Sequence, residues 1–264
     1  MNQSAHQFFR HRNYRLLLLI TEIVVLYLAA AALTGFNSSA WLATDKGIIW
    51  LAQNFIPNAN SLQYMPDILA QLWQTFLIAV AAASCAAVIA VVLGMLGAQN
   101  VGLSKWKVGW LIRGFASVMR NIPIVAWAMI LLFSFKQNEL TGFLALLFMN
   151  IGFLTRAFLE TFEDFDVKKM EAIQTTGATY TTSVVQAMLP ETAVPLIEWL
   201  LYMIENNIRD ATLVGLLTGT GIGFIFDLYF KSLQYGAAGM VVVSIAVLVI
   251  FLEISSNRIG RLIR

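Results

Sequence analysis

Two polar constellations interrupt a chain that is otherwise mostly apolar. The first is Glu205-Asn206-Asn207-Ile208-Arg209-Asp210, inside or at the outer end of an apolar run over 191–217. Ionisable groups at membrane depth are costly and persist where they pair, line a cavity or do work. On a helix Glu205 and Arg209 are i and i+4, the favourable order for an ion pair. That pair explains two residues and leaves Asn206, Asn207 and Asp210 without a reason, so the segment reads better as the lining of a polar pathway. Arg120-Asn121 ahead of Pro123, and Arg156 with Glu160, are similar in type, although snorkelling at span ends also accounts for them.

The second constellation is 168–190, KKMEAIQTTGATYTTSVVQAMLP, an amphipathic island between apolar stretches. Residues 169–176 contain no helix breaker, with Met170 and Ile173 on one face and Glu171 and Gln174 on another, which predicts a short surface helix. Gly177 supplies a left-handed end to that helix, and Thr179, Thr181, Thr182 or Ser183 caps a second one. Pro190 suits the first turn of the next helix, where its missing N–H costs nothing. Helix, bend, helix and return to the membrane make a shape that docks in a partner's groove; the plainer alternative is a solvated loop.

Little else in the chain carries chemistry. Cys85 lies in an Ala-rich run and reads as a small packed hydrophobe, and one cysteine makes no internal disulfide. His6 and His11 sit in a basic tail and read as solvated. No metal-ligand spacing, phosphate-cradling glycine loop or serine-histidine-acid set is present, so no catalytic and no metal residues are expected. Gly219, Gly221 and Gly223 in GTGIG lack a following Lys-Ser/Thr and read as close helix packing or a re-entrant turn.

The elements that position these groups follow from composition. The chain is 59% hydrophobic and 12% charged, against about 25% charged residues in soluble domains, and its mean hydropathy is +0.73. It is therefore read as an all-α integral membrane protein, since the apolar runs are continuous rather than alternating as barrel strands would be. Runs near 16–35, 69–98, 114–135, 141–159, 191–217 and 237–255 predict about six crossings, each needing roughly 20 apolar residues. The fifth, with six polar or charged residues in it, is the one expected to break. The first run is too long for a signal-peptide core and is read as an uncleaved span. Residues 1–68 are taken as an N-terminal tail, first span and extracytoplasmic connector, with a surface helix near Trp41–Phe55 whose Trp41 and Trp50 suit an interface. Residues 69–264 form the main transmembrane domain.

Basic residues set the orientation. With the N-terminus inside, Arg10, Arg12, Arg15, Lys105, Lys107, Arg113, Arg120, Arg156, Lys168, Lys169, Arg258, Arg261 and Arg264 fall on the inner side, against Lys46, Lys136, Arg209 and Lys231 outside. That bias places both termini and the 168–190 island in the cytoplasm.

The spacing of Glu171-Ala172, Gly177 and Leu189-Pro190 resembles the cytoplasmic coupling loop of ABC-importer permeases, with Ile173 and Ala187 departing from the family's Ala and Ile. Further residues sharpen the resemblance: Arg120-Asn121-Ile122-Pro123, Trp127-Ala128, Glu205 through Leu216, and Gly221-Ile222-Gly223-Phe224. Over roughly 70–264 these are similar to the permease subunits of phosphonate, phosphite and hypophosphite importers, departing at Asn121, Asp210 and Thr220. The resemblance implies the type I ABC-importer permease fold with a cytoplasmic coupling helix. It implies a second copy of the permease, two cytoplasmic ATPase subunits that bind ATP and Mg, and an extracytoplasmic substrate-binding protein. No cofactor on this chain and no nucleic acid are expected, and the chain is expected in the cytoplasmic membrane among lipid.

On that resemblance Glu171 and Ala172 anchor the coupling helix, Gly177 lets it bend, and Leu189-Pro190 return the chain to the membrane. Arg209, and then Arg120, are the cations that lower the barrier for a phosphorus oxyanion, with Glu205 orienting Arg209 and Asn207 offering a neutral donor. Rival readings are a permease for methionine-like or other polar amino acids, a secondary transporter and a structural membrane subunit. Secondary transporters usually carry internal repeats, and none is found here. A structural subunit gives no reason for the island.

Overall fold

The computed structural model describes residues 3–35, 44–100 and 106–263, with side chains from residue 13 onward apart from Trp106. Trp41, Lys105 and Arg264 lie outside the described residues, as do the side chains of His6, Arg10, His11 and Arg12. Every regular element among the described residues is helical. The chain divides into two compact units, 1–54 and 55–264. Phe55, Tyr64 and Met65 pack on the cluster of Ile68, Ile222, Tyr229 and Val241 in the second unit.

The first unit holds α1 (Gln3–Thr34) and α2 (Thr44–Asn54). Residues Asn13–Thr34 are long and apolar enough to cross a membrane, and their large apolar side chains are exposed, as lipid contact requires. Helix α2 is the expected connector helix, beginning at Thr44.

The second unit opens with a 3-10 turn, Ala59–Tyr64, closed by reciprocal bonds between Asn58 and Ser61. Then follow α3 (Met65–Gly97), α4 (Trp106–Asn121), α5 (Ile124–Phe135), α6 (Glu139–Glu163), α7 (Lys168–Gln174), α8 (Tyr180–Ser183), a π-helical turn (Val184–Met188), α9 (Leu189–Thr218), α10 (Gly221–Lys231) and α11 (Tyr235–Ile263). Five helical stretches are long and apolar enough to span a membrane, and a bent pair makes six. The chain is a multi-pass membrane protein.

The run over 114–135, expected as one crossing, is a bent pair of helices. Helices α4 and α5 meet at 88°. Pro123 offers no N–H and disfavours helical geometry in the residue before it. The groups freed at the break are met locally: Asn121 Nδ2 donates to Ser117 O at 2.7 Å, and Trp127 Nε1 donates to Met119 O at 3.2 Å. With 12 residues, α5 rises about 18 Å, short of a hydrocarbon core of about 30 Å, so it does not cross by itself. The fifth run behaves in the opposite way, because α9 runs unbroken through its polar residues to Thr218. The chain then reverses at Gly219 and Gly221, with φ of +67° and +65°, and Gly223 brings α10 onto the backbone of Thr212 and Leu216.

Helix α3 is the spine. Ala79, Ala82, Ala83, Ala86, Ala87, Ala90, Gly94 and Gly97 are all buried along it, a small-residue surface that lets backbones approach closely where no hydrophobic drive exists between helices in lipid. A Cβ on Gly94 would sit 3.3 Å from Leu159 N, which shows how near α6 comes. Cys85 is on the other side of this helix and is exposed, not packed as expected.

Candidate functional site

The 168–190 island folds as its pattern predicts. Helix α7 spans Lys168–Gln174, Gly177 has φ +88°, and Thr179 caps α8, its Oγ1 accepting from Thr182 N at 3.3 Å. Of the four candidate caps, Thr179 is the one used. Pro190 stands in the first turn of α9. The first bonded turn of α9 is wide, because Leu189 N–H reaches back to Val184 O, five residues away.

Burial divides the segment into an anchor and a free face. Met170, Val184 and Met188 insert into the core formed by Phe158 and Phe162 of α6, Ala90 of α3 and Met203 of α9, with Leu189 packed against it. Lys169 Nζ pairs with Glu191 at 2.7 Å, tying α7 to the start of α9. Glu171, Ala172, Gln174 and Gly177 are exposed. A small, braced, mostly polar surface therefore projects from the membrane domain, linked through its buried residues to α3, α6 and α9.

The polar stretch of α9 splits by helix face. Arg209 Nη2 donates to Glu205 Oε1 at 2.6 Å, with the arginine side chain 52% exposed and the glutamate 17%. Asn206 Nδ2 donates to Asp210 Oδ2 at 3.0 Å. Asn207 is wholly buried and its Nδ2 donates to Ala79 O at 3.0 Å, so one of its two N–H donors holds α9 against α3. The face bearing Glu205 also carries Glu198 and Tyr202, at spacings of four and three residues. Together with Ser256, Asn257 and Arg261 of α11 they line a cavity of about 370 Å³. Arg120, at the end of α4, is exposed and makes no hydrogen bond or ion pair among the described residues. The structure thus brings Glu205 and Arg209 together, turns Asn207 toward α3 and leaves Arg120 on a separate helix.

Sequence reasoning missed Glu198, Asn257 and Arg261 as partners of this face. The seven-residue step from Glu198 to Glu205 was the available signal for the first. It also missed the network closing α6, where Arg113 pairs with Glu163 at 2.5 Å. Asn100 Nδ2 donates there to the carbonyls of Phe162, Glu163 and Phe165. These partners lie 50 or more residues apart, and no periodicity reports them.

The second unit is a helical multi-pass membrane domain with a braced, surface-projecting helix pair after its most buried span and a polar face along the next. The chain belongs to the family of binding-protein-dependent transport system inner membrane components, whose model matches residues 90–264. It is 27% identical over 213 residues to the phosphate-import permease protein PhnE of Mycolicibacterium smegmatis, covering 81% of this chain and 39% of that protein. It is 25% identical over 186 residues to the phosphite transport system permease protein PtxC of Stutzerimonas stutzeri, covering 70% of this chain and 67% of that one. The fold matches a chain of the MetNI methionine ABC transporter in its inward-facing conformation, with a TM-score of 0.66, 17% identity, and 76% of this chain and 98% of that chain covered.

Proposed function

We propose that this chain is the permease subunit of an ATP-driven importer that moves a phosphorus oxyanion of the phosphate, phosphite or phosphonate type across the cytoplasmic membrane. The observation that carries the reading is the exposed α7 face, braced by Met170 and by the Lys169–Glu191 pair. It gives a soluble motor a rigid handle on the helices of the membrane domain. Two cytoplasmic ATPase subunits, which bind ATP and Mg, dock there, with Glu171 and Ala172 at the contact and Gly177 shaping it. Two copies of the permease enclose the path, an extracytoplasmic binding protein delivers the substrate, and both termini are cytoplasmic. The chain itself performs no chemistry. Oxyanion chemistry is supported by the names of the relatives and by the half-exposed guanidinium of Arg209, which Glu205 holds in one orientation.

The test is reconstitution of the permease with its ATPase and binding protein in proteoliposomes. ATP-dependent accumulation of labelled phosphite, phosphonate or phosphate is expected, and it should vanish without the ATPase. Accumulation independent of ATP would refute the reading, as would a purified complex lacking any ATPase.

A further inference from the structure

Helix α4 has three faces. Gly109, Ile112 and Ala116 are buried. Val108, Leu111, Phe115 and Val118 form an exposed apolar stripe suited to lipid. Between them runs a polar face of Arg113, Ser117 and Arg120, each three or four residues from the next. Arg113 and Ser117 of this face line an open cleft of about 620 Å³, together with Trp110 and Gly114 of α4, Arg156 and Glu163 of α6, and Gln99 just past the end of α3. Gln99 lies just past the end of α3 and Glu163 ends α6, the helix that leads to α7, so the cleft opens on the same side of the membrane as the α7 surface.

Its donors are only partly spent. Arg156 Nε donates to Glu160 Oε1 at 2.6 Å, leaving its two Nη groups without a partner among the described residues. Ser117 Oγ accepts from Asn121 at 3.1 Å, which leaves its own O–H to give. The acid in the cleft is already neutralised, since Glu163 Oε1 accepts from Arg113 at 2.5 Å and from Gln99 N at 2.9 Å. A planar guanidinium fork and a free hydroxyl lining one cleft form a donor set that suits a tetrahedral oxyanion.

We propose that this cleft binds a phosphate group through Arg156, Ser117 and Arg113, at a site separate from the α9 face. The group comes either from free inorganic phosphate or from the headgroup of an anionic lipid whose chains lie along Val108, Leu111 and Val118. The site does not depend on which solute the permease carries.

The test uses the full-length chain in maltoside micelles, which contain no phosphate. Equilibrium binding of radiolabelled inorganic phosphate is measured, and retention of phosphatidylglycerol is followed by native mass spectrometry. Saturable binding of one probe is expected, weakened about tenfold or more by Arg156→Gln with Ser117→Ala, because a charge-assisted pair is lost. Phosphate binding assigns the free anion as the source, and lipid retention assigns the headgroup. Arg156→Lys, which keeps the charge and loses the fork, gives a smaller loss and serves if the double variant does not fold. Binding of neither probe, or equal binding by wild type and variants, overturns the proposal.

Discussion

Gly177 carries φ +88° with open space where a Cβ would stand, so a substitution there acts through the backbone alone. Gly177→Val adds a β-branched residue in a left-handed conformation, at a cost of about 1–2 kcal/mol or more. The variant is expected in the membrane at wild-type level with uptake and ATPase co-purification reduced several-fold; undiminished uptake would remove the bend from the mechanism. Asn207 separates two roles through different readouts. Asn207→Leu discards the bond to Ala79 O and should lower the Tm of the purified chain by an amount equivalent to roughly 1 kcal/mol, leaving KM for uptake unchanged. A raised KM at unchanged Tm would return Asn207 to the solute pathway. Exchanging Glu205 and Arg209 tests the neighbouring pair. A purely structural bridge survives the exchange, whereas a pathway role predicts an assembled complex with poor anion flux, since the exposed cation becomes an anion.

Helix crossings here are set by missing side chains. At Gly152 a Cβ would lie 2.5 Å from Arg120 N and 2.9 Å from Ala116 O. These are backbone atoms that move only with all of α4. Gly152→Ala is therefore expected to cost about 1–3 kcal/mol, seen as a lower Tm and reduced yield. Gly114→Ala, within α4 itself and with nothing within 4 Å, should be neutral or stabilise by up to about 1 kcal/mol through helix propensity. Similar losses at both positions would dismiss the close crossing as the cause. The break at Pro123 shows where element reading from sequence runs out: hydropathy stays high across 114–135, and the proline signals a kink without giving its 88° angle. The island was legible because its determinants are local, namely the spacing of Met170 and Ile173, the left-handed Gly177 and the cap at Thr179. On α9 the polar residues were legible as a cluster. Adjacent positions on a helix differ by about 100°, so only packing against α3 decides that Asn207 points inward while Glu205 lines a cavity.

At the scale of the molecule, the orientation read from basic residues makes a direct prediction. In a Cys85→Ala background, needed because Cys85 is exposed, Gln63→Cys should react with an impermeant thiol reagent added to intact cells, and Thr181→Cys should be protected until the membrane is permeabilised. Both positions are exposed in the fold, whereas Ser61, nearby, is buried in its bonds to Asn58 and unsuitable. Reversed labelling would place α7 opposite the compartment that holds ATP. Span order was readable from composition because burial in lipid demands continuous apolar length. The long-range ties of Arg113 and Asn100 to the end of α6 were not, because they depend on which helices become neighbours.

The π-helical turn at Val184–Met188 gives the chain a phase offset. Each residue of an α-helix advances about 100° in azimuth, and a wide turn changes that count just where the α7–α8 segment hands over to α9. The bearing of the Glu198, Tyr202, Glu205 and Arg209 stripe relative to α7 is thus fixed by the number of residues in five positions whose Val184 and Met188 are buried. Deleting exposed Gln186 would keep every named group and every span, yet rotate the stripe away from its present bearing on α7.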